Sequence, residues 1–411
     1  METDLKTVLN SLGIGQHEFQ DKVIVITGSG GGIGFQAARA FAFLGGKVVI
    51  AEQREAGKSA EAAIRAEGGQ ALFIQTDVSD SASVSHLVQQ THDRFGRVDI
   101  LVNNAIRCPV AKVTEMDEKL WDQVISVNLR GTFLTCRAFL PDMLDRKGGI
   151  IINLVSADAM PGLSAYIASK QGMVGFSQSL DLEVEDSNIR VIPFGPGMVD
   201  TPGIRQSASD LAPLLGMTEE QFLTTPLHAA YDGLMPAEHA GAATAYLAAR
   251  LADEFHGQMI NGYEVLEKAG FLKSPLQEPE TSQDSLSKGT NKADCLATLE
   301  ELNAILVQTG AEFNKLPAFI RPMARAGFKS KSGQSLSDWQ TSMKRLHSER
   351  IAGGRQTQPN LPVLFSKLIT YFRDVPKETA RFTKDPEFLR QISETSRERI
   401  AVIERLIRDL E

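Results

Sequence analysis

Residues 23–34 read VIVITGSGGGIG, an apolar run rich in branched side chains followed by a cluster of glycines. The run Val23–Thr27 is typical of a strand that is buried on both faces of a parallel sheet. Helical sequence follows from Ile33 to about Leu44. The glycines are therefore predicted to form the turn between this strand and the helix after it.

The glycine-rich turn is suited to binding a pyrophosphate. We expect Gly28 to allow a sharp turn, Gly32 to let the backbone approach a phosphate, and Gly34 to let the helix pack tightly on the strand. The N–H groups at the helix N-terminus would then face an anion. Glycine also marks ordinary loops, but the position of this turn between a strand and a helix favours a bound cofactor.

Strands and helices alternate along the first 265 residues. The predicted strands after the first are Lys47–Ala51, Ala71–Gln75, Val98–Asn103, Gly149–Leu154, Ile189–Pro193 and, at the end, Gly257–Val265. The predicted helices between them are Ala56–Glu67, Ser81–Phe95, Asp117–Arg146 and Ser164–Glu185. This alternation predicts a doubly wound α/β fold with a parallel sheet and right-handed crossovers, an architecture that binds dinucleotides.

The composition is that of a globular protein. Of 411 residues, 42% are hydrophobic and 23% are charged, and no run of 18 uncharged apolar residues occurs, so we predict no membrane span. Three widely spaced cysteines and an N-terminus without a signal-peptide pattern predict a cytoplasmic protein without a disulfide framework. Seven histidines without metal-ligand spacing predict no metal site, and a net charge of −8 argues against a nucleic-acid partner.

The charge is divided unevenly along the chain. Residues 271–411 hold 22 basic and 18 acidic side chains, a net of +4, which leaves −12 for residues 1–270. The segment from Lys273 to Asn291 is rich in Ser, Pro and Gln, as linkers are. We predict an N-terminal arm with a short helix at residues 1–20, an α/β catalytic domain at 21–270, a linker at 271–291 and a mostly α-helical domain at 292–411.

Polar residues after the next strands fit the rest of a dinucleotide. Glu52 lies 18 residues after Gly34, where a carboxylate accepts hydrogen bonds from the ribose of NAD and repels the 2′-phosphate of NADP. A solvated loop acid is the alternative, and Arg54 two residues later weakens the preference for NAD. Asp77 is placed to meet the adenine amino group. The Asn103–Asn104 pair forms either a ligand-binding edge or a turn.

Tyr166 and Lys170 are four residues apart and therefore share one face of a helix. A phenol with an ordinary pKa of about 10 is a poor acid–base group at neutral pH. We expect the nearby ammonium to lower the pKa of Tyr166. The phenolate could then remove a hydroxyl proton as hydride leaves the same carbon, and the phenol could return it in reverse. A chance pair on a helix surface is the alternative.

Residues 21–265 resemble the short-chain dehydrogenase/reductase family. The resemblance rests on motifs in the family's order and near its spacing, namely TGSGGGIG (27–34), DV (77–78), NNA (103–105), SVNLRG (126–131), Ser156, YIASK (166–170) and PGMVDT (196–201). It implies a Rossmann fold with a seven-stranded sheet and an NAD(P)-dependent oxidoreductase that acts on CH–OH groups of a small-molecule substrate. It also implies a homo-oligomer, a dimer or tetramer.

The resemblance assigns roles to single residues. In the implied tetrad of Asn128, Ser156, Tyr166 and Lys170, the serine holds the substrate oxygen, the lysine holds the nicotinamide ribose, and the asparagine supports a water. The residues implied in cofactor binding are Gly28, Ser29, Gly32, Ile33, Gly34, Glu52, Asp77, Val78, Asn104, Ala105, Tyr166, Lys170, Pro196, Val199 and Thr201. NAD is the predicted cofactor and NADP the alternative, because Gly31 stands where NADP-preferring relatives often carry a basic residue.

Two positions depart from the family pattern. Ile106 stands where the family usually has a glycine after NNA, and a bulky side chain there could shift the loop. Ser156 lies 10 residues before Tyr166 instead of 13, and Asn153 occupies the 13-residue position. We align Ser156 with the family's serine, which makes the segment from Asp158 to Ser164 a shortened loop.

The segment from Thr201 to about Met235 is predicted to close over the substrate. Its large apolar residues would line a pocket or, taken singly, pack on the core; they are Leu211, Leu214, Leu215, Met217, Phe222 and Leu227. No Lys or Arg occurs between Gln206 and Ala249, so we predict a hydrophobic secondary alcohol or ketone as substrate. His228 and His239 are predicted to be surface or packing residues.

Residues 271–411 carry no family resemblance. Apolar residues recur at helical spacing within Cys295–Thr309, Leu361–Phe372 and Phe388–Leu410, which predicts a helical module. The module could pack on the catalytic domain, mediate subunit contacts or cover the active-site mouth. Eight basic residues between Arg321 and Arg355 are more typical of a solvated helix face than of a docking site for an acidic partner.

Three classes of function stay open at this point. An oxidoreductase is favoured by the Tyr166–Lys170 pair. The alternative is a nucleotide-binding regulatory or interaction protein that keeps the fold and acts through its helical C-terminal domain. The third is an enzyme that uses the cofactor transiently, as an epimerase or dehydratase does.

Overall fold

The computed structural model describes residues 4–156, 159–228, 230–272, 292–315, 328, 332, 336–351, 361–379 and 386–410. The chain divides into two compact units, at residues 1–273 and 274–411. No helix among the described residues has the length and apolar character needed to cross a membrane.

The first unit is built on a parallel sheet. Its strands are β1 Val23–Thr27, β2 Lys47–Glu52, β3 Gln70–Gln75, β4 Ile100–Asn103, β5 Gly149–Leu154, β6 Ile189–Gly195, β7 Val199–Asp200, β8 Met235–Pro236 and β9 Ile260–Asn261. Seven strands form one sheet in the order β3-β2-β1-β4-β5-β6-β9, and β7 pairs separately with β8. The strand order changes direction between β1 and β4, so the crevice at their carboxyl ends is the expected ligand site.

Twelve helices of the first unit flank or cap this sheet. They are α1 Leu5–Ser11, α2 Gly32–Phe43, α3 Ala56–Ala66, α4 Ser81–Phe95, α5 Glu118–Ile125, α6 Gly131–Asp145, α7 Ser164–Glu183, α8 Pro202–Leu214, α9 Glu219–Thr224, α10 Ala237–Tyr246, α11 Ala252–Phe255 and α12 Gly262–Lys268. Two π-helical turns, Ser126–Arg130 and Leu247–Leu251, follow α5 and α10 directly.

Both faces of the sheet are buried, which explains why its strands read as continuous apolar runs. All five residues of β1 are buried. Ile24 and Ile26 join a core with α1, α2, α10 and α12 on one face. Val23 and Val25 join a second core with α4, α6 and α7 on the other face. The alternation follows from the two-residue period of a strand.

The predicted doubly wound, seven-stranded α/β fold is confirmed. One predicted strand is wrong in extent: Gly257–Val265 contains only β9, and helix α12 begins at Gly262, capped by the side chain of Asn261, which accepts a hydrogen bond from the backbone N–H of Glu264 at 3.0 Å. The helix predicted over residues 117–146 is real, but a π-helical turn interrupts it.

The second unit is α-helical, as predicted. Its long helices are α13 Lys292–Lys315, α14 Leu336–Ile351, α15 Leu361–Thr379 and α16 Pro386–Leu410. Their apolar faces enclose a separate core around Trp339, whose indole N–H donates to the hydroxyl of Ser332 at 3.1 Å. Arg399 pairs with Glu312 at 2.6 Å beside this core. The predicted linker from Lys273 to Asn291 lies outside the described residues, as do five of the eight basic residues between Arg321 and Arg355.

Candidate active site

The glycines of the β1–α2 turn occupy positions where a side chain does not fit. Gly28 has a φ of +63°, and a Cβ there would lie 2.7 Å from the Cα of Ala105. A Cβ at Gly34 would lie 2.4 Å from the Nδ2 of Asn104. The turn therefore depends on glycine for its shape and for its close contact with the end of β4.

The N-terminus of α2 is open to an anion. Its N-cap residue, Gly31, supplies no side-chain hydrogen bond, and nothing described lies within 4 Å of the place of its missing Cβ. Gly32 follows with a φ of +53°. The hydroxyl of Ser29, a predicted cofactor contact, donates to the carbonyl of Ile26 at 2.7 Å. Free helix N–H groups beside a glycine turn fit the pyrophosphate of a dinucleotide.

Glu52 lies at the end of β2 and faces the glycine turn. The residue is 5% exposed, and its Oε2 accepts a hydrogen bond from the N–H of Gly30 at 3.2 Å. Its Oε1 accepts from the backbone N–H of Arg54 at 3.0 Å and from the Arg54 side chain at 3.3 Å. The carboxylate is thus held beside the turn by main-chain donors, in the place expected for a ribose-binding acid.

Asp77 and Val78 follow β3 at the same edge. The Asp77 carboxylate accepts hydrogen bonds from Ser79 at 2.6 Å and from the side chain of Gln53 at 2.9 Å. Val78 is buried against Gly131, where a Cβ would lie 2.9 Å from its methyl group. These contacts join the end of β3 to the end of β2 and to the start of α6.

Asn104 holds the site together from the end of β4. Its Nδ2 donates to the carbonyls of Thr27 and Gly28, both at 2.9 Å. The Thr27 hydroxyl in turn accepts from the N–H of Ala105 at 3.1 Å. The Asn103–Asn104 pair is therefore part of a strand-to-strand clamp at the carboxyl edge, and Ile106 after it points out, with 54% of its surface exposed.

The structure brings Ser156, Tyr166 and Lys170 together. The Ser156 side chain lies close enough to the phenol of Tyr166 to lower the pKa of that group. Lys170 lies one helical turn further along α7, with its Nζ 5.8 Å from the centre of the Tyr166 ring. The Lys170 ammonium is buried and donates to the carbonyl of Leu154 at 2.5 Å. The i, i+4 spacing thus places both side chains on the face of α7 that meets β5.

Asn128 lies in the π-helical turn between α5 and α6. Its Nδ2 donates to the Ser169 hydroxyl at 2.9 Å and to the carbonyl of Arg107 at 3.0 Å. Its Oδ1 accepts from the Arg107 N–H at 2.7 Å. Ser169 donates to the carbonyl of Tyr166 at 2.6 Å, so Asn128 reaches the tyrosine's helix through one hydroxyl. Turns of this kind often occur at functional sites.

Asn153, the other candidate for the serine position, lies elsewhere. It is fully buried within the sheet, where it accepts from Asn103 at 2.9 Å and donates to the hydroxyl of Ser177 at 2.8 Å. Its side chain has structural partners on both sides. The geometry therefore supports Ser156 as the hydroxyl next to Tyr166.

The pKa values in the protein differ from our expectation for Tyr166. Burial raises the pKa of the Tyr166 phenol, the Cys108 thiol adds to the rise, and the Ser156 hydrogen bond opposes it. Burial also lowers the pKa of Lys170 to about 7. The prediction that the ammonium lowers the tyrosine pKa is therefore wrong for the protein alone, because removal of the phenol from water is the largest influence on its pKa.

Thr201 lies between helix α8 and the glycine turn. Its hydroxyl caps α8 by accepting from the N–H of Ile204 at 3.2 Å. Its methyl group lies 3.3 Å from the place of a Cβ on Gly32, in the glycine turn. Val199 is buried in β7, and Pro196 precedes it at the carboxyl end of β6. The PGMVDT segment thus lies next to the predicted pyrophosphate site.

Tyr166 is partly buried and packs against an apolar cluster. Its fully buried members are Leu163, Ala208, Leu211, Ala212 and Phe222, and the side chains packed on them include Cys108, Val110, Met160, Met198, Leu215 and Met217. Most of these residues come from the predicted substrate loop, α8 and α9. Leu227 packs instead on the core of the sheet. The loop residues therefore surround the tyrosine with apolar surface.

Sequence reasoning missed two residues of the site. Ser169 lies three residues after Tyr166 in YIASK, so its helical spacing was a usable signal. Cys108 comes from the loop after β4, and no pattern in the sequence placed it near Lys170. His228 and His239 are not surface residues: both are fully buried and hydrogen-bonded. Within the described part of the chain, no group of three His, Cys, Asp or Glu side chains could hold a metal ion.

The sequence of the first unit is similar to those of known oxidoreductases. The profile of the family described as short chain dehydrogenase matches residues 22–212. An uncharacterized oxidoreductase of Thermotoga maritima is 41% identical over 186 residues, 44% of this chain and 73% of the relative. A D-beta-hydroxybutyrate dehydrogenase of Rhizobium meliloti is 36% identical over 208 residues, 49% of this chain and 81% of the relative.

A solved structure agrees with these sequence matches. Levodione reductase superposes with a TM-score of 0.54 at 28% identity, over 60% of this chain and 98% of that protein. The family profile ends before the second unit. The sheet order, the motifs and these relatives point to one conclusion: the chain belongs to the short-chain dehydrogenase family of oxidoreductases.

Proposed function

We propose that the protein transfers hydride between NAD(H) and a hydrophobic secondary alcohol or ketone, with Tyr166 as the acid–base group. The observation that carries the proposal is the meeting of Ser156, Tyr166 and Lys170 at one point beneath an apolar cover. The nicotinamide, when bound, supplies or accepts the hydride. The chain's own groups handle the proton and the substrate oxygen.

The phenol of Tyr166 is the proton donor or acceptor. Because burial raises its pKa, the phenol is protonated at neutral pH and holds the proton that a carbonyl oxygen takes up during reduction, although the same rise makes it a weaker acid than a free phenol. The Ser156 hydroxyl, which lies beside the same phenol, would hold the substrate oxygen at hydrogen-bond distance from Tyr166. Asn128 and Ser169 would fix the backbone of the tyrosine's helix.

Lys170 and the groups at the sheet edge would hold the cofactor. The ammonium of Lys170 donates one hydrogen bond to the carbonyl of Leu154, and its other N–H groups could donate to ribose hydroxyls. The uncapped start of α2 would face the pyrophosphate. Glu52 would accept from the adenosine ribose, which supports NAD over NADP. Thr201, Val199 and Pro196 would border the nicotinamide.

The apolar cluster around Tyr166 supports a hydrophobic substrate. The named relatives include a D-beta-hydroxybutyrate dehydrogenase and a 3-oxoacyl-[acyl-carrier-protein] reductase of Synechocystis. By their names, these relatives act on a hydroxyl group and on a keto group. They support hydride transfer between an alcohol and a ketone for this chain. They favour the oxidoreductase over a regulatory protein.

Assembly, location and domain roles belong to the proposal as well. Exposed apolar side chains on α6 and α7, Phe133, Leu144 and Leu182, support a homo-oligomer through these helices. Free thiols at Cys108 and Cys136 support a cytoplasmic location. We propose residues 21–270 as the catalytic domain, with 1–20 as an arm, 271–291 as a linker and 292–411 as a separate helical domain.

Absorbance at 340 nm tests the reaction, with a panel of secondary alcohols and ketones and with NAD(H) and NADP(H). Tyr166→Phe should lower kcat by about 100-fold or more, since it removes the acid–base group. Tyr246→Phe, a matched change on α10, should leave kcat unchanged. Turnover that survives in Tyr166→Phe would remove Tyr166 from the chemistry. NADH binding without turnover across the panel would favour the regulatory alternative.

A further inference from the structure

A buried polar cluster lies at the end of the substrate loop and has no part in the proposed chemistry. It consists of two histidines, two tyrosines and a glutamate, namely His228, Tyr231, His239, Tyr263 and Glu267. His228 is 1% exposed and His239 is 0% exposed. Buried histidines with several polar neighbours need a defined hydrogen-bond pattern, because an unpaired ring nitrogen is costly away from water.

The two ring nitrogens of His228 have partners in different elements. The backbone N–H of Ala230 donates to its Nδ1 at 3.1 Å, so that nitrogen carries no proton. Its Nε2 lies 3.0 Å from the Oε1 of Glu267 and therefore donates to the carboxylate. His228 thus connects the backbone of the substrate loop to α12.

Helix α12 also supports the turn after β6. The ring of Tyr263 stacks on His228 with the ring centres 5.4 Å apart. A Cβ on Gly197, whose φ is +95°, would lie 2.8 Å from the same tyrosine ring. A Cβ on Gly262 would lie 2.4 Å from the carbonyl oxygen of Pro196. The Pro196–Gly197 turn therefore rests directly on the first residues of α12.

A second hydrogen bond anchors the cluster to the scaffold. The Tyr231 hydroxyl lies 2.8 Å from the Nδ1 of His239, which belongs to α10. Helix α10 packs on α2, and a Cβ on Gly241 would lie 2.5 Å from the backbone of Gln36. Helix α2 begins at the glycine turn. Helix α10 therefore connects the end of the substrate loop to the helix of the proposed pyrophosphate site.

We infer that Glu267, His228 and Tyr263 are positioning residues for the cofactor site. They hold the Pro196–Gly197 turn and the end of the substrate loop against α12, so that a nicotinamide cofactor meets a preformed surface. The inference rests on the proposed function, because that proposal places Pro196 beside the nicotinamide. None of the three residues touches the reacting atoms, and their effect passes through the turn and the loop.

A role in packing alone would give a different result. A packing role lowers the stability of the whole unit without changing the affinity for NADH or the local mobility of the turn. A positioning role changes both, since ordering a binding surface in advance lowers the cost of binding. It should also depend on the hydrogen bond to His228 and not on the negative charge of Glu267.

Variants of Glu267 separate the two roles. Glu267→Ala removes the acceptor of the His228 N–H, and we expect the dissociation constant for NADH, measured by fluorescence titration, to rise about tenfold. In the protein without cofactor, amide hydrogen exchange should become faster at residues 195–200 and 226–232 and stay unchanged in the rest of the first unit. Glu267→Gln keeps an acceptor oxygen and should stay near wild type in both measurements. The control is Lys268→Ala, on the same helix as Glu267, which breaks an ion pair with Glu254 of α11.

Each outcome decides one point. Wild-type NADH affinity in Glu267→Ala overturns the inference, as does exchange that rises equally throughout the first unit. If Glu267→Ala does not fold, two other pairs of variants test the inference. Tyr263→Phe keeps the aromatic ring and should raise the dissociation constant for NADH less than Tyr263→Ala does. His228→Gln keeps a hydrogen-bond donor and should raise it less than His228→Ala does. If wild type does not bind NADH, the proposed function fails, and the exchange measurement still decides whether α12 tethers the loop.

Discussion

Replacing Lys170 by methionine should change how the stability of the first unit depends on pH. The Lys170 side chain is 1% exposed, and its ammonium donates to the carbonyl of Leu154. Burial lowers its pKa to about 7 in the folded protein. In the unfolded chain a lysine has a pKa of about 10.4. Between these two values the unfolded chain binds more protons at this position than the folded protein does.

The sign and size of the effect follow from this difference. Where the unfolded state binds more protons, the free energy of unfolding rises with pH, by at most about 1.4 kcal/mol per pH unit for one group. From pH 7 to pH 9, Lys170 should therefore add about 2 kcal/mol of stability to wild type. Burial raises the pKa of Cys108 to about 11 and of Cys136 to about 12, so both thiols lower stability as pH rises through the ordinary thiol pKa of about 8.5 and offset part of this gain in wild type. Their effects cancel when the variant is compared with wild type.

Urea unfolding at pH 7, 8 and 9 measures the effect. Both proteins should carry Trp339→Phe, so that the fluorescence of Trp121 alone reports the first unit. The free energy of unfolding of wild type minus that of Lys170→Met should increase by about 2 kcal/mol between pH 7 and 9. Lys119→Met, which removes an exposed lysine of the same unit, should keep the pH dependence of wild type. A difference between wild type and Lys170→Met that stays constant with pH would refute the argument that burial keeps this lysine's pKa low.

Two further predictions test the substrate loop and the choice of cofactor. Gly162 has a φ of +80°, and a Cβ there would lie 2.6 Å from the Leu214 side chain, so Gly162→Ala should lower the free energy of unfolding by about 2–4 kcal/mol. Gly216→Ala, with a φ of +71° and open space around it, should cost only about 1–2 kcal/mol, and equal losses in urea unfolding would show that Leu214 is not in the way. Glu52→Ser should free the Arg54 guanidinium, which lies 3.3 Å from the carboxylate, and tighten NADPH binding about tenfold relative to NADH in fluorescence titrations. Glu55→Ser is the control, and an unchanged ratio in Glu52→Ser would contradict a role of that carboxylate in cofactor choice.

Much of the sheet was predictable because each central strand is buried on both faces. Such strands appear in sequence as short apolar runs between turn residues, and Val23–Thr27 and Gly149–Leu154 have the predicted bounds. The last strand was predicted too long, since the apolar residues after Asn261 belong to a helix. A short apolar run at the edge of a sheet does not distinguish a strand from a helix.

The candidate site was predictable where it depends on local spacing. Tyr166 and Lys170 share a helix face because they are four residues apart, and Ser169 follows the same rule. The His228–Glu267 pair was not predictable, because 39 residues separate its members and only the packing of α12 against the loop brings them together.

The amino-acid sequence by itself determined the order of strands and helices, the glycine turn and the side chains that meet on α7, since each depends on neighbours within a few residues. The tertiary structure alone decided how strongly those side chains are removed from water. The loop after β4, the turn before α7 and the helices α8 and α9 close around Tyr166, and together they raise its pKa where the sequence predicted a fall. Desolvation depends on all the atoms that surround a group, and these come from segments that are distant in the chain.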